Sequence, residues 1–312
     1  MPVFTAVLLL AEYLNPIEHA VGPFRTDSNI GTTLTEMRPR RLSDGPNWMS
    51  SIDSELALSE VSIPGSHDSC ALYEPYPGSA TCQTAALSAQ LSMGVRFLDV
   101  RCKNDGKKFD IYHGPIGEKT TFDQVLSDTS SFLSNNPTET VIMSVKEENS
   151  KTGDSFESVF RNYVARNPTI WSLDSHIPKL KAVRGKIILL RRFKGSIGID
   201  GTDWPDNRTF LKGNLDVEDL YNVSKPQLKW DAVLKHLDAA PLGSPSSIFM
   251  TFTSGYVPGF FGIPNITDVA SLVNQSLAKY FKSAKAGRYG IIPMDFVAED
   301  TCSHIIATNK GM

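Results

Sequence analysis

From Trp48 onward, short apolar runs alternate with longer segments whose apolar residues recur at helical spacing. The runs predict strands at Val61–Pro64, Val95–Arg101, Phe109–His113, Thr140–Lys146, Lys186–Arg191, Ile248–Thr253 and Tyr289–Phe296. Several are nearly continuous aliphatic or β-branched stretches, the pattern of strands covered on both faces. The intervening segments predict helices at Thr84–Met93, Phe122–Leu133, Ser155–Arg166, Pro226–Leu237 and Asp268–Lys282. Gly94 stands where a helix C-cap glycine belongs, and Pro226 opens a helix at the position whose N–H would have no partner anyway. Seven or eight such βα repeats over about 260 residues predict a single-domain α/β fold, a (β/α)8 TIM-like barrel. An open doubly wound sheet is the competing architecture. No Rossmann glycine fingerprint or P-loop follows any of these strands, which weakens a nucleotide-binding reading.

Residues 1–46 have a different character. Pro16, Pro23, Pro39, an MRPRR run and DGPN break any sustained period. This stretch is expected to be an N-terminal adapter, partly ordered or processed, ahead of a barrel spanning 47–312. Composition narrows the function classes. The 312 residues are 41% hydrophobic and 21% charged, an ordinary globular balance. Thirty-one basic and 34 acidic residues leave a net charge of −3, so no nucleic-acid partner held by bulk charge is expected; separately, the chain is expected to be a monomer. No uninterrupted apolar stretch approaches the length of a membrane span, while contact with a bilayer surface stays open.

The four cysteines, Cys70, Cys82, Cys102 and Cys302, form no CxxC pair and no zinc-like spacing. Cys70 and Cys82 bracket ALYEPYPGSAT, and both a bridge and free thiols fit that spacing. Sequons at Asn207, Asn222, Asn265 and Asn274 point to a secreted or peripheral-membrane protein. The apolar run Val3–Ala11 has no basic residue before it and soon meets Glu12, so it makes a poor signal peptide.

In barrels, polar residues at the C-terminal ends of strands read as site residues. That rule selects Ser66, His67 and Asp68 from SIPGSHDS, Asp99 and Arg101 from FLDVR, and His113 from IYHG. It adds Lys146 from MSVKEE, Arg191 and Arg192 from LLRRF, and Asp295 from IIPMDFV. Two of only six histidines thus end strands. One imidazole can take a proton from an attacking hydroxyl while the other gives one to a leaving oxygen. A carboxylate beside each fixes its tautomer, and a guanidinium offers paired donors to phosphate oxygens. These parts suit phosphoryl transfer from a phosphodiester. A metal-dependent hydrolase would place more acids here, not Arg101 and Lys146.

SIPGSHDS, FLDVR, YHG, VIMSVKEE, RGKIILLRRF and IIPMDFV, in that order, resemble the motifs of the phosphatidylinositol-specific phospholipase C catalytic domain in its bacterial, metal-independent form. The resemblance runs from about residue 47 to about residue 300. It implies a distorted (β/α)8 TIM-like barrel and a lyase-type step in which the inositol 2-hydroxyl attacks its own phosphodiester, releasing diacylglycerol and inositol 1,2-cyclic phosphate. It further implies His67 as general base with Asp295 as its orienting partner, and His113 as general acid assisted by Asp68. Arg101 would be the phosphate-stabilising arginine, with Asp99 its neighbouring carboxylate. The calcium-dependent relatives carry acids where this chain has Arg101 and Lys146, so the resemblance implies no metal and no other cofactor. Lys146, Arg192, Asp219 and Tyr221 resemble the headgroup contacts, and the last two share one side if VEDLYNV is extended. A one-residue slip in LLRRF would exchange Arg191 for Arg192.

Two function classes stay in play: the active lyase, and a catalytically weak headgroup-binding barrel. The proton-transfer pair favours the enzyme. In GYVPGFFGIP, residues 255–264, apolar Val257, Phe260 and Phe261 sit among glycines and prolines. Such a loop is expected to dip into a membrane carrying phosphatidylinositol, although a buried hydrophobic loop fits the same residues. Replacing Phe260 and Phe261 with Ser is expected to weaken vesicle binding while sparing cleavage of a soluble inositol phosphodiester. Unchanged cosedimentation with vesicles would remove the idea.

Overall fold

Alternation along each strand decides what this chain buries and where its polar groups emerge. The computed structural model describes residues 45–74, 80–150, 152–259 and 264–311. Residues 1–44 of the expected adapter, and Phe260 and Phe261, lie outside these. In chain order the strands are β1 Ile63–Ser66, β2 Phe97–Asn104, β3 Phe109–His113, β4 Ile116–Thr121, β5 Val141–Glu147, β6 Trp171–Ser172, β7 Ile187–Arg192, β8 Ile199–Asp200, β9 Arg208–Lys212, β10 Leu215–Asp219, β11 Ile248–Thr251, β12 Val257–Pro258, β13 Pro264–Asn265 and β14 Ile291–Met294. The helices are α1 Leu87–Ser92, α2 Phe122–Asn135, α3 Asp154–Arg166, α4 Leu180–Val183, α5 Pro226–Ala239, α6 Ile266–Ser283 and α7 Glu299–Ala307.

The main path runs β7–β5–β2–β1–β14–β11–β10, and every neighbouring pair in it is parallel. Along the other edge of β7, β6 pairs at its start and β8 at its end, an eighth strand in two short pieces. The antiparallel β9 covers the outer edge of β10. Among the described residues no backbone pairing joins β8 to β9 or β10, so the TIM-like barrel is open along that seam.

Two apolar layers follow from the period of two. Ile63, Phe97, Ile142, Ile188, Leu190, Leu215, Val217, Met250 and Ile291 form the inner cluster. Their chain neighbours Leu98, Val100, Met143, Val145, Ile187, Leu189 and Ile292 belong to a second cluster, shared with the helices. Gly65 is required in the inner layer, because a Cβ there would lie 3.0 Å from the Phe97 side chain and 3.2 Å from the Pro293 Cα. Helix ends follow their sequence signals. Thr121 caps α2 by accepting from the Gln124 N–H, Asn265 caps α6 through Asp268, and Gly94 takes φ 109° beyond α1.

All seven predicted strands exist, but one has a different role. Phe109–His113 is not a βα barrel strand. It folds back antiparallel on β2, pairing Ile111 with Cys102, and continues into β4. The intervening DGKK, residues 105–108, is a connection too short for a parallel crossover. The place this leaves in the barrel is filled by β10, whose LDVED hides its two inward apolar residues among acids. The four cysteines are free and buried, so the spacing of Cys70 and Cys82 does not produce a bridge.

One buried ion pair ties the barrel's lower end together. Arg96 and Glu139 are both fully buried, with Nη2 2.8 Å from Oε2. Arg96 also donates to the Leu91 and Val95 carbonyls, while Glu139 accepts from the Met49 N–H. The pair therefore joins α1, β2, β5 and the 3-10 turn Gly45–Ser51. Removing one partner leaves the other charge buried and alone. Glu139→Ala is expected to lower the unfolding free energy by about 3–5 kcal/mol, measured by urea denaturation; a loss below about 1 kcal/mol would contradict this accounting.

Candidate active site

The inward phase that builds the lower core delivers polar groups at the upper strand ends. Ile63 and Gly65 lead to His67, Phe97 leads to Asp99 and Arg101, and Ile142 and Ser144 lead to Lys146. Ile188 and Leu190 lead to Arg192, Leu215 and Val217 lead to Asp219, and Ile291 and Pro293 lead to Asp295. Register then sets them side by side, with Arg101 opposite Lys146 and Lys146 opposite Arg192. Arg191 has the outward phase and binds the Ile197 and Phe193 carbonyls, with Asp200 at 3.0 Å.

These ends surround a cavity of about 530 Å³. His67, Arg101, His113, Lys146, Arg192, Asp219, Tyr221 and Asp295 all line it. Asp68 and Asp99 stand behind Arg101, each almost fully buried. His67 Nδ1 lies 2.7 Å from Asp295 Oδ1, and Arg101 Nη2 lies 2.8 Å from His67 Nε2. Arg101 Nη1 is 3.1 Å from Asp68 Oδ2, which is 3.5 Å from His113 Nε2. On the far side of that ring, His113 Nδ1 is 2.7 Å from the Ala80 carbonyl. A continuous line of contacts therefore runs Asp295–His67–Arg101–Asp68–His113.

Burial opposes charge on the His67 ring, but Asp295, by charge and hydrogen bond, overrides it and raises the His67 pKa above its ordinary value. Burial likewise opposes an ionised Asp99, and Arg101, with Arg192 next, holds that carboxyl well below its usual range. Arg101 donates to Asp99 Oδ2 from Nε and Nη2, both at 3.2 Å. Burial and then Arg101 lower the Lys146 pKa, and Glu148 sits 2.9 Å from its Nζ. Burial raises the Asp219 pKa.

Asp219 and Arg192 meet across the open seam through Trp204. The indole N–H donates to Asp219 Oδ2 at 3.1 Å, and the Arg192 guanidinium lies over the ring at 4.0 Å. Tyr221 donates to Asp206 Oδ1 at 2.6 Å and has its ring 5.9 Å from that of Tyr256. Asp219 ends β10, but Tyr221 lies beyond it, tied to Asn207 through its backbone N–H. Val257 packs partly buried against Val223, Val269 and Val273.

The pocket also holds residues that strand-end reasoning missed. Glu148 shares the inward phase of Lys146 two residues earlier, a signal the sequence carried. Asp206 and Tyr256 line the pocket from connections without regular period and had no such signal, and neither had Trp204 behind Asp219 and Arg192. Metal donors exist here as well: His67, Cys82 and Asp295 lie within 4.8 Å of one another, as do Asp68, Cys82 and His113. Both sets fit a cation poorly. Burial keeps the shared Cys82 thiol protonated, and the Arg101 guanidinium already occupies the contacts of His67 Nε2 and Asp68.

A TIM-like barrel with two carboxylate-backed imidazoles and a partly buried arginine in one cavity defines a class of barrel proteins suited to acid–base chemistry on an anionic ligand. The family model described as phosphatidylinositol-specific phospholipase C, X domain, matches residues 55–193. The 1-phosphatidylinositol phosphodiesterase of Staphylococcus aureus (strain Newman) is 32% identical over 301 residues, covering 86% of this chain and 96% of the relative. That of Listeria monocytogenes is 29% identical, covering 84% of each. A crystal structure of the S. aureus phosphatidylinositol-specific phospholipase C superposes with a TM-score of 0.78 at 31% identity, over 87% of this chain and 100% of the other. The chain belongs to the bacterial phosphatidylinositol-specific phospholipase C family.

On β4, beside the His113 strand, burial pushes the Glu118 carboxyl up to about 7, although it accepts from the Tyr73 N–H at 2.9 Å. Its protonated form is therefore favoured by folding. That contribution is full below the unfolded value near 4.5 and is lost as pH rises through about 7. Glu118→Gln removes the titration. Between pH 4.5 and pH 8.5 the wild type is expected to lose about 1–3 kcal/mol relative to the variant, read from paired denaturation curves. Parallel stability profiles would refute it.

Proposed function

We propose that this protein cleaves phosphatidylinositol as a phospholipase C, by attack of the inositol 2-hydroxyl on its own phosphodiester. The observation that carries the reading is the line Asp295–His67–Arg101–Asp68–His113 along one cavity. Asp295 accepts the hydrogen bond of the His67 Nδ1–H and so keeps the proton on that nitrogen, which leaves the lone pair at Nε2 to serve as base. In the free protein Arg101 Nη2 donates to that nitrogen. An arriving phosphate takes over that donor with its own oxygens, the guanidinium staying in place, and frees Nε2 for the 2-hydroxyl proton.

The new bond joins the 2-oxygen to phosphorus, and the bond to the glycerol oxygen breaks. With the Ala80 carbonyl holding the Nδ1 proton, His113 gives up the one at Nε2. Products are diacylglycerol and inositol 1,2-cyclic phosphate. Arg101 supports the charge on the phosphoryl oxygens throughout, fixed by Asp68 and Asp99. Lys146, Glu148, Arg192 and Asp219 offer donors and acceptors to the ring hydroxyls, and Tyr221 offers an aromatic face. The substrate is a membrane lipid, so catalysis takes place at a bilayer surface. Among the described residues no helix is long and apolar enough to cross it.

Phosphorus NMR of phosphatidylinositol vesicles with excess chelator tests reaction and metal independence together. A cyclic phosphate resonance is expected from the wild type, with the rate lowered about 10²–10³-fold in Arg101→Lys, which cannot hold two carboxylates and a phosphate at once. Folded protein that forms no product would leave only headgroup binding, and product that requires added calcium would overturn the role of Arg101.

A further inference from the structure

Gln83 lies outside the cavity, yet its side chain touches the backbone of the proposed base and the backbone on both sides of that base's carboxylate partner. The β1–β14 pairing ends at Ser66 opposite Met294, followed by one bond from the His67 N–H to the Met294 carbonyl. Beyond that point the two strands continue into His67 and Asp295 with no further ladder bond between them. The Gln83 amide fills this place. Nε2 donates to the His67 and Met294 carbonyls, both at 2.8 Å, and Oε1 accepts from the Val297 N–H at 3.1 Å. The side chain is 1% exposed, so these bonds have no competing water.

The neighbouring backbone is equally engaged. The Cys82 and Gln83 N–H groups both donate to the Ala71 carbonyl, at 3.0 and 3.1 Å. The Cys82 carbonyl accepts from Phe296 at 2.7 Å, holding that residue at φ 49°, a left-handed conformation an aromatic residue rarely takes. The Ala80 carbonyl accepts from His113. Residues 80–83 therefore reach the backbone of the base, both flanks of its carboxylate partner and the ring of the acid.

We infer that Gln83 is a positioning residue, whose amide extends the β1–β14 pairing past its last ladder bond and holds His67 in hydrogen-bonding register with Asp295. This rests on the reading of His67 as general base. The amide carries no charge and works at every pH. What it sets is the reach of Asp295 to His67, in a surrounding that also holds Arg101, Asp68, Asp99, Asp219 and the Cys82 thiol. Asp295 raises the His67 pKa, so a loosened contact lets it fall.

The test is Gln83→Met, which keeps length and volume but loses all three bonds. Expected are a fall in kcat of about 10–100-fold with KM within about twofold, and an acid limb of kcat/KM displaced to lower pH by about half a unit or more. Carbon-13 NMR titration of the His67 ring without substrate should show the same displacement, which separates this inference from the proposed reaction. An unmoved limb and ring titration, with activity lost only in proportion to folded protein, would reduce Gln83 to a structural residue. Should Gln83→Met not fold, hydrogen exchange in the wild type decides. Slow exchange of the Gln83 side-chain amide protons supports the clamp, and exchange at the free-amide rate overturns it.

Discussion

A guanidinium held at a largely buried strand end is the constraint around which the cavity is arranged. Arg101 carries a charge that cannot be shed at any ordinary pH, and burial makes that charge costly unless it is matched. Asp99 and Asp68 match it from behind and beside. Both carboxylates are then committed, which leaves the forward donors fixed in direction before any ligand arrives. Preorganised charge of this kind needs no rearrangement of solvent when negative charge develops opposite it. The two imidazoles inherit their places from the same residue, one on Nη2 directly and the other through Asp68.

This arrangement is possible because parallel strands keep a common phase. Lateral register puts Phe97, Ile142 and Ile188 on one level of the barrel and Arg101, Lys146 and Arg192 on another. The lower level buries aliphatic and aromatic surface worth about 1.5–3 kcal/mol per fully buried large side chain. That stabilisation anchors an upper level which, taken alone, is a cluster of like charges. Lys146 shows the strain of the arrangement: burial and Arg101 both depress its pKa, and Glu148 compensates. A shift of one residue in any strand would exchange core and site together.

Legibility of the sequence follows the same physics. Strand ends after continuous apolar runs were readable, because the phase that hides Leu98 and Val100 against the helices necessarily turns Asp99 and Arg101 inward. Arg192 against Arg191 was open on sequence alone and is decided by the phase of Ile188 and Leu190. The strand Leu215–Asp219 was not recognised, since its outward residues Asp216 and Glu218 face helix α5 as hydrogen-bonding and ion-pair partners of His236 and Lys229. His113 was found for a partly mistaken reason: it ends a hairpin strand, not a barrel strand, and reaches the cavity from the side. Gln83 left no trace, because an amide that serves three backbone groups has no periodic partner in the chain.

The open seam explains why a headgroup-sized cavity exists at all. An eight-stranded barrel that closes fully has an interior just wide enough to be filled by its own side chains. Here β8 is two residues long and β9 turns away to pair with β10, so the wall between β7 and β10 is made of side chains. Trp204 supplies that wall, its ring T-shaped against Phe252, its face under Arg192 and its N–H on Asp219. Backbone closure would have brought β7 and β10 to the spacing of paired strands and pressed Arg192 against Asp219. An indole between them keeps the two side chains apart, and both line the cavity. Width at the seam and charge at the end of β2 are therefore complementary features of one cavity, the first setting its room and the second its affinity for an anion.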